Sequence, residues 1–287
     1  MLMTTIWAGL TVGAIYALVG LGYTITYIGS AAFNFAQAGF VMTAVYIAYL
    51  GLDHWKLPAL GVIVLATGAV SLLAVIVQRV AVAPVRSHDA LLITTVGAAT
   101  LIDGVAQRLG GDQPLQVSFI FSNRPTTVFG GRVLPGELWL IVAVPVIAIT
   151  LTVISRRTLV GMAGLAVSAD NDAARLFGIN PRRYAVGSFA LAGAIAGLMG
   201  VFVGPETSAF ATLSSAIALK GFVALALGGF RSFSGAALGG FTCGVAEAFS
   251  ARYLGSEYQT LAIFALLLLT LLLFPTGLLG GRKVRAV

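Results

Sequence analysis

Charge is the scarcest commodity in this chain. Only 9% of its 287 residues are Asp, Glu, Lys or Arg, against about 25% in a soluble domain. A soluble globule of this length could not cover its surface with so few charges. That excludes an ordinary cytosolic enzyme, a disordered tail and a nucleic-acid binder. Cysteine is nearly missing: Cys243 stands alone in an apolar stretch, so it can form no intrachain disulfide and reads as a small buried packing residue. The two histidines, His54 and His88, fall in separate loops. With no Cys/His cluster and no H-E-x-x-H, no metal site is expected. No G-x-x-x-x-G-K-[ST] occurs, so the chain holds no ATP on a P-loop and is not expected to bind a cofactor. Ser-rich pieces such as 212–215 have no base nearby in sequence, so catalysis is a weak reading. The first basic residue is Lys56. The opening apolar span therefore lacks the basic start of a secretory signal and reads as a retained helix.

Apolar residues are abundant instead. They make up 59% of the chain, and the 35 glycines raise the share to roughly 71% (59% plus 35 of 287), against about 45–50% in soluble domains. Mean hydropathy is +0.99. Nine apolar stretches stand out, at about 5–28, 37–52, 57–78, 90–107, 137–155, 184–204, 213–230, 235–250 and 258–274. Most match the ~20 residues that cross a bilayer as a helix. The fold class is an all-α polytopic membrane protein of about 8-9 transmembrane helices, with broken or re-entrant segments, forming one transmembrane domain over 1–287. Residues 37–52 and 235–250 are short and rich in small residues, as segments that line cavities are.

The net charge of +7 sits mostly between spans. Arg79 and Arg86 lie in the turn 79–89. Arg156, Arg157, Arg175, Arg182 and Arg183 lie in 156–183. Arg282, Lys283 and Arg285 lie in the tail. The positive-inside bias makes all three segments cytoplasmic. Nine crossings then put the N-terminus outside. If 29–52 is re-entrant, eight crossings put it inside. The longest outer loop, 108–136, carries Pro114, Pro125, Pro135 and Gly130-Gly131.

Small residues recur one turn apart at Gly9, Gly13 and Ala17, at Gly193 and Gly197, and at Ala236, Gly240, Gly244 and Ala248. Such stripes let helices approach closely in lipid, where apolar burial does not drive association. No residue-level internal repeat is evident. Three ionisable residues fall inside spans: Asp103, Lys220 and Glu247. Each costs about 2.5–3.5 kcal/mol at the bilayer centre on insertion scales. Asp103, near Gln107 and Arg108, and Glu247, near Arg252, read as polar pairs at helix ends or as proton-coupling carboxylates. Lys220 reads as snorkelling, as satisfying a carbonyl or as touching a solute.

The segment 156–183 is the most informative loop. Ser168 or Asp170 is placed to cap a short helix over 171–177, with an Asp172/Arg175 pair at i,i+3. Gly178 takes the left-handed position after it, and Pro181 prevents continuation. Ala173, Ala174 and Phe177 would form one apolar face. A helix this short needs a partner: its own bundle, or a groove in a cytoplasmic ATPase.

Several stretches together resemble the permease subunits of bacterial branched-chain amino acid ABC transporters of the Liv type. They are GLTVGAIYALVGLGYTITY (9–27), NFAQAGF (34–40), NDAARLFGIN (171–180), FALAGAIAGLMG (189–200), KGFVALALGGFRSFSGAALGG (220–240), GVAEAFSARYLGS (244–256) and LFPTGLLG (273–280). The resemblance implies a multi-pass protein of the bacterial inner membrane that is not itself an enzyme. It implies ATP-driven alternating access powered by separate subunits. The implied partners are a second homologous permease in a heterodimer, two ATP-binding ATPase subunits and a periplasmic solute-binding protein, with membrane lipid around them and no nucleic acid. The implied solutes are branched-chain or neutral amino acids, urea, short amides or aromatic acids. On this reading Asp172, Ala174, Arg175, Leu176 and Gly178 couple the bundle to the ATPase. Two departures bear on the solute: the run Gln37-Ala38-Gly39, and Arg231 and Ser234 where the family usually has Gly and Pro.

A polar solute needs a protein-lined path through hydrocarbon. Asn34 and Gln37 are uncharged amides within one turn, flanked by Phe33, Phe35 and Phe40. Such groups can bind a cargo and release it. They can equally cap and satisfy the start of a helix at 35–50, and the two roles are compatible. Gly228, Gly229, Ser232 and Ser234 form a matching break in the second half, and the two breaks are expected to face each other across the path. Two other readings remain at this point: an ion- or proton-coupled secondary transporter using Asp103 or Glu247, and a structural or channel subunit without a solute site.

Overall fold

A computed structural model of the protein describes residues 2–31, 33–85, 87–111, 113–121 and 123–279. The basic residues Arg86, Arg282, Lys283 and Arg285, expected above to be cytoplasmic anchors, lie outside the described residues. In hydrocarbon every backbone polar group must be satisfied within the chain, so long apolar runs fold as helices. The described helices are α1 (Leu2–Ser30), α2 (Gln37–Tyr49), α3 (Ala59–Val77), α4 (His88–Gly110), α5 (Pro135–Arg157), α6 (Leu159–Ala169), α7 (Asn171–Leu176), α8 (Pro181–Thr207), α9 (Leu213–Gly228), α10 (Phe233–Tyr253) and α11 (Gln259–Leu273). One antiparallel hairpin, β1 (Thr126–Val128) with β2 (Gly131–Val133), lies in the long loop. Among the described residues, six helical segments are long and apolar enough to cross a membrane by length and composition.

Contacts sort the helix ends into two groups. At one end the Trp7 indole donates to the Val128 carbonyl at 3.1 Å, Ser118 bonds Asp53, Leu115 pairs with Ala209, and Arg252 bonds Thr5. At the other, Arg231 reaches Leu165 and Ser168, and the chain after α11 closes on α9, with Leu278 donating to the Leu227 carbonyl at 2.7 Å. Arg79, Arg156, Arg157, Arg175, Arg182, Arg183 and Arg231 gather at this second end, which makes it the cytoplasmic one.

Among the described residues, α1 to α5 and α8 to α11 run alternately between the ends. α2 completes the second pass: the chain turns back after the cytoplasmic end of α1, and α2 runs from inside the bundle to the outer end, where Tyr46 lies against Gly110. In this arrangement 29–52 crosses and does not return to its own side. The interruption itself is present. Residues 31 and 33–36 are non-helical, and Gln37 begins α2 at the depth of Gly22 on α1 and Ala192 on α8. Ala192 lies eleven residues inside α8, or about 16 Å at 1.5 Å per residue. The stretch 235–250, read as short, is an unbroken 21-residue helix.

The small-residue stripes pair with each other. A methyl at Gly9 would strike the Val245 backbone at 2.8 Å, and one at Gly13 the Phe241 backbone at 2.8 Å. On the facing helix Gly240 abuts Ala17 and Gly244 abuts Gly13. Thus α1 and α10 pack backbone to backbone. Gly193 and Gly197 do the same for α8, against Val70 and Ala66 of α3.

Candidate functional site

The two breaks meet at an aromatic cluster. The Phe33 ring lies 5.4 Å from Tyr27, 5.5 Å from Phe222 and 5.5 Å from Phe230. Phe35 packs on Phe222 at 6.1 Å and on Tyr23 at 6.2 Å. Phe33 and Phe35 come from the first break, Phe230 from the second, and Phe222 from α9, which leads into it. The tilted and edge geometries are those that the ring quadrupoles favour. Phe40, expected beside them, points into the bundle core and is fully buried.

Asn34 and Gln37 are 0% and 1% exposed. The Ala36 amide donates to Asn34 Oδ1 at 3.2 Å, so Asn34 does organise the turn before α2. Gln37 does not serve the helix start. Its Nε2 donates across to the Ala192 carbonyl on α8 at 3.5 Å, and its side chain fills the place that a side chain at Gly22 would take. One atom of each amide, Asn34 Nδ2 and Gln37 Oε1, has no hydrogen-bond partner. A buried polar atom left unpaired costs about 1–3 kcal/mol. A fold that keeps two of them at one break holds spare capacity for a polar ligand.

The second break is narrower than the sequence suggested. Gly228 is the last residue of α9, and Gly229 carries the positive φ of 103° that turns the chain. Gly228 abuts the Gly235 backbone so closely that no side chain fits at either position. Ser232 caps α10 by accepting from the Gly235 amide at 3.0 Å. Ser234 lies inside α10 and shares a 3.0 Å hydrogen bond with Thr152 of α5. Arg231 donates to the Leu165 carbonyl at 3.1 Å and to Ser168 Oγ at 2.7 Å, both on α6. The two residues that depart from the family pattern thus tie this break to its neighbours.

The ionisable residues inside the spans find partners that spacing did not reveal. Lys220 Nζ lies 2.5 Å from Glu247 Oε1. The Tyr16 hydroxyl donates to Glu247 Oε2 at 2.6 Å and accepts from Lys220 at 2.9 Å. Glu247 is therefore not paired with Arg252, and Lys220 neither snorkels nor serves a carbonyl. Together they join α1, α9 and α10. Asp103 accepts from Ser214 and Ser215 at the start of α9. Cys243 is buried, as expected. Among the described residues no three His, Cys, Asp or Glu side chains gather as metal ligands would.

The cytoplasmic segment folds as two helices. Thr158 caps α6 by accepting from the Gly161 amide at 3.1 Å. The apolar run behind that cap was the missed signal for this helix. Asp170, not Ser168, caps α7, accepting from Asp172 and Ala173 at 2.8 and 3.0 Å. Arg175 pairs with Asp172 at 3.1 Å, and Gly178 takes φ 77°. The expected apolar face is redistributed. Ala174 is 2% exposed and anchors α7, while Leu176 and Phe177 stand 89% and 84% exposed. The capping amides hold the Asp170 carboxyl below its ordinary range. A lowered folded-state value means that this contribution is complete above the ordinary carboxylate pKa of about 3.9 and is lost as pH falls through the lowered value. Exchange protection of 171–176 should thus hold at neutral pH and fall only below about pH 4, whereas Asp170→Ala should reduce it throughout. Hydrogen exchange read by mass spectrometry checks both.

The sequence profile of the family described as the permease component of branched-chain amino acid transport systems matches residues 5–272. The high-affinity branched-chain amino acid transport system permease protein LivH of Salmonella typhimurium is 31% identical, covering 97% of this chain and 96% of the relative. BraD of Pseudomonas aeruginosa, similarly named, is 30% identical over the same shares. A probable LivH of Methanocaldococcus jannaschii is 28% identical over 92% and 88%. No solved structure matches.

Proposed function

Because the chain belongs to the family of permease components of branched-chain amino acid transport systems, we propose that its path carries branched-chain or other neutral amino acids, by ATP-driven alternating access, through the meeting point of the two helix breaks. The observation that carries this reading is the pair of unpaired amide atoms on Asn34 and Gln37, buried where non-helical backbone enters the bundle. Such backbone is tolerated at membrane depth where protein buries it or a cavity needs it. A zwitterion asks for one donor and one acceptor, which two amides offer without a net charge that would trap it. The rings of Tyr23, Tyr27, Phe33, Phe35, Phe222 and Phe230 surround the break with apolar surface suited to aliphatic side chains. In the present arrangement these rings pack on one another, so the path is closed there.

The chain supplies the gate, and partner subunits supply the energy. Two ATP-binding ATPase subunits would grip α7 through Leu176, Phe177 and Arg175. A second homologous permease would complete the path, and a periplasmic binding protein would deliver solute at the hairpin end, in the bacterial inner membrane. A bundle with two arrangements is driven by whichever partner binds one of them better. The secondary-transporter reading is not favoured, since Glu247 is engaged by Lys220.

The test uses the reconstituted complex with its binding protein. Asn34→Leu with Gln37→Leu should reduce leucine uptake at least tenfold while leaving assembly and ATP hydrolysis measurable. Leu176→Asp with Phe177→Asp should also lower uptake, by a different route, abolishing the link between hydrolysis and uptake in an inserted, folded chain. Uptake unchanged by the first pair removes the amides from the path. Uptake unchanged by the second removes α7 from the coupling.

A further inference from the structure

A cavity of about 390 Å³ opens at the cytoplasmic end between α1, α5, α6 and α8. It is separate from the aromatic cluster. On α1 it takes Ile25, Ile28 and Gly29, whereas Tyr23 and Tyr27 turn to the breaks. Its wall is almost wholly aliphatic, with Leu151, Ile154, Val160 and Leu191 on three helices. Gly187 adds to the space, because a side chain there would meet no atom within 4 Å. Arg183 is its charged residue, and Ser155, Tyr184 and Ser188 add hydroxyls. Arg182 adjoins Arg183, and Arg156 and Arg157 end α5, which forms the opposite wall. Neither ion pair among the described residues involves any of the four, and no carboxylate lines the cavity.

We infer that this cavity is a binding site for an anionic phospholipid of the inner leaflet, with one acyl chain between α5 and α8 and the phosphate on the arginine rim. The dimensions agree. From Arg183 to Leu191 is eight helical residues, about 12 Å, close to half of the ~30 Å hydrocarbon core. The volume lies near the lower end of the range for small-ligand sites, about 300–1,000 Å³, which suits one chain and not a whole lipid. The charge agrees as well, because basic pockets between transmembrane helices on the cytoplasmic side favour anionic headgroups. A zwitterionic headgroup would bring no net negative charge to the Arg183 end of the site. The occupied site would brace α6 against α8, and α6 leads directly into α7.

The experiment takes the full chain in its purified complex, stripped of lipid, and adds dioleoyl phosphatidylglycerol or dioleoyl phosphatidylethanolamine in the same detergent. Native mass spectrometry reads retained lipid, and thermal unfolding reads stabilisation. Phosphatidylglycerol should be retained at least tenfold more strongly. Arg182→Gln with Arg183→Gln should erase that preference, at about fivefold per arginine. Gly187→Leu, which fills empty space on an exposed face, should displace the lipid without unfolding the chain. Equal retention of the two lipids, or retention indifferent to Gly187→Leu, overturns the assignment. So does a thermal shift of equal size with inorganic phosphate alone, which would show that the acyl chain takes no part.

Discussion

Glu247→Leu made alone is expected to lower the stability of the bundle by about 3–5 kcal/mol, the usual cost of orphaning one member of a buried ion pair. The effect should be that large because two groups lose a partner at once and one of them is a cation. Lys220 loses a counter-ion 2.5 Å away, the Tyr16 hydroxyl loses its acceptor, and the remaining ammonium stays between α1, α9 and α10, where hydration is poor. Glu247→Leu combined with Lys220→Met should recover most of the loss, since replacing both ions by apolar groups of similar volume is often neutral. Unfolding of the purified chain followed as a double-mutant cycle checks the coupling. A double variant as unstable as the sum of the singles would show that the pair contributes no mutual stabilisation. The cycle also bears on transport: a double variant that folds and still takes up solute makes Glu247 dispensable as a proton carrier.

Gly244→Val is expected to be the most damaging substitution outside the breaks. A side chain at Gly244 would run into the Gly13 and Gly9 backbones. Backbone cannot move aside as a side-chain tip can, so α1 and α10 must separate. Overpacking typically costs 1–3 kcal/mol, occasionally more, and here the separation would also open the neighbouring contact of Gly240 with Ala17. The folded yield in membranes should fall severely. The controls are Gly68→Ala and Gly104→Ala, where nothing lies within 4 Å. There alanine's better helix propensity, worth up to about 1 kcal/mol, should leave the chain as stable or more so. If Gly244→Val behaved like the controls, the close packing of α1 on α10 would be refuted.

The helical content was legible because lipid leaves an apolar run little choice but a helix. The cap of α7 was legible because Asp170, Gly178 and Pro181 act over a few residues. What could not be read was which element meets which. The stripes on α1 and α10 signalled close packing, but nothing in their spacing said that they pack on each other. Lys220 and Glu247 were each singled out, and their partnership needs the antiparallel hairpin of α9 and α10 to bring residues 27 apart within bonding distance. Gln37 looked like a local helix-start residue because sequence proximity favours local partners, yet a glycine at position 22 leaves room for it to reach α8. The helix α6 was passed over because 159–169 is too short to cross and its only start signal is one threonine.

Arg231 makes the cytoplasmic helices and the second break one mechanical unit. Its guanidinium holds two oxygens of α6, and α6 is separated from α7 by Asp170 alone. A force applied at Leu176 therefore need not travel along any transmembrane helix to be felt at Gly229. Either residues 229–232 follow the tug, or two hydrogen bonds snap first, so the stroke that this linkage transmits is limited to the stretch those bonds tolerate.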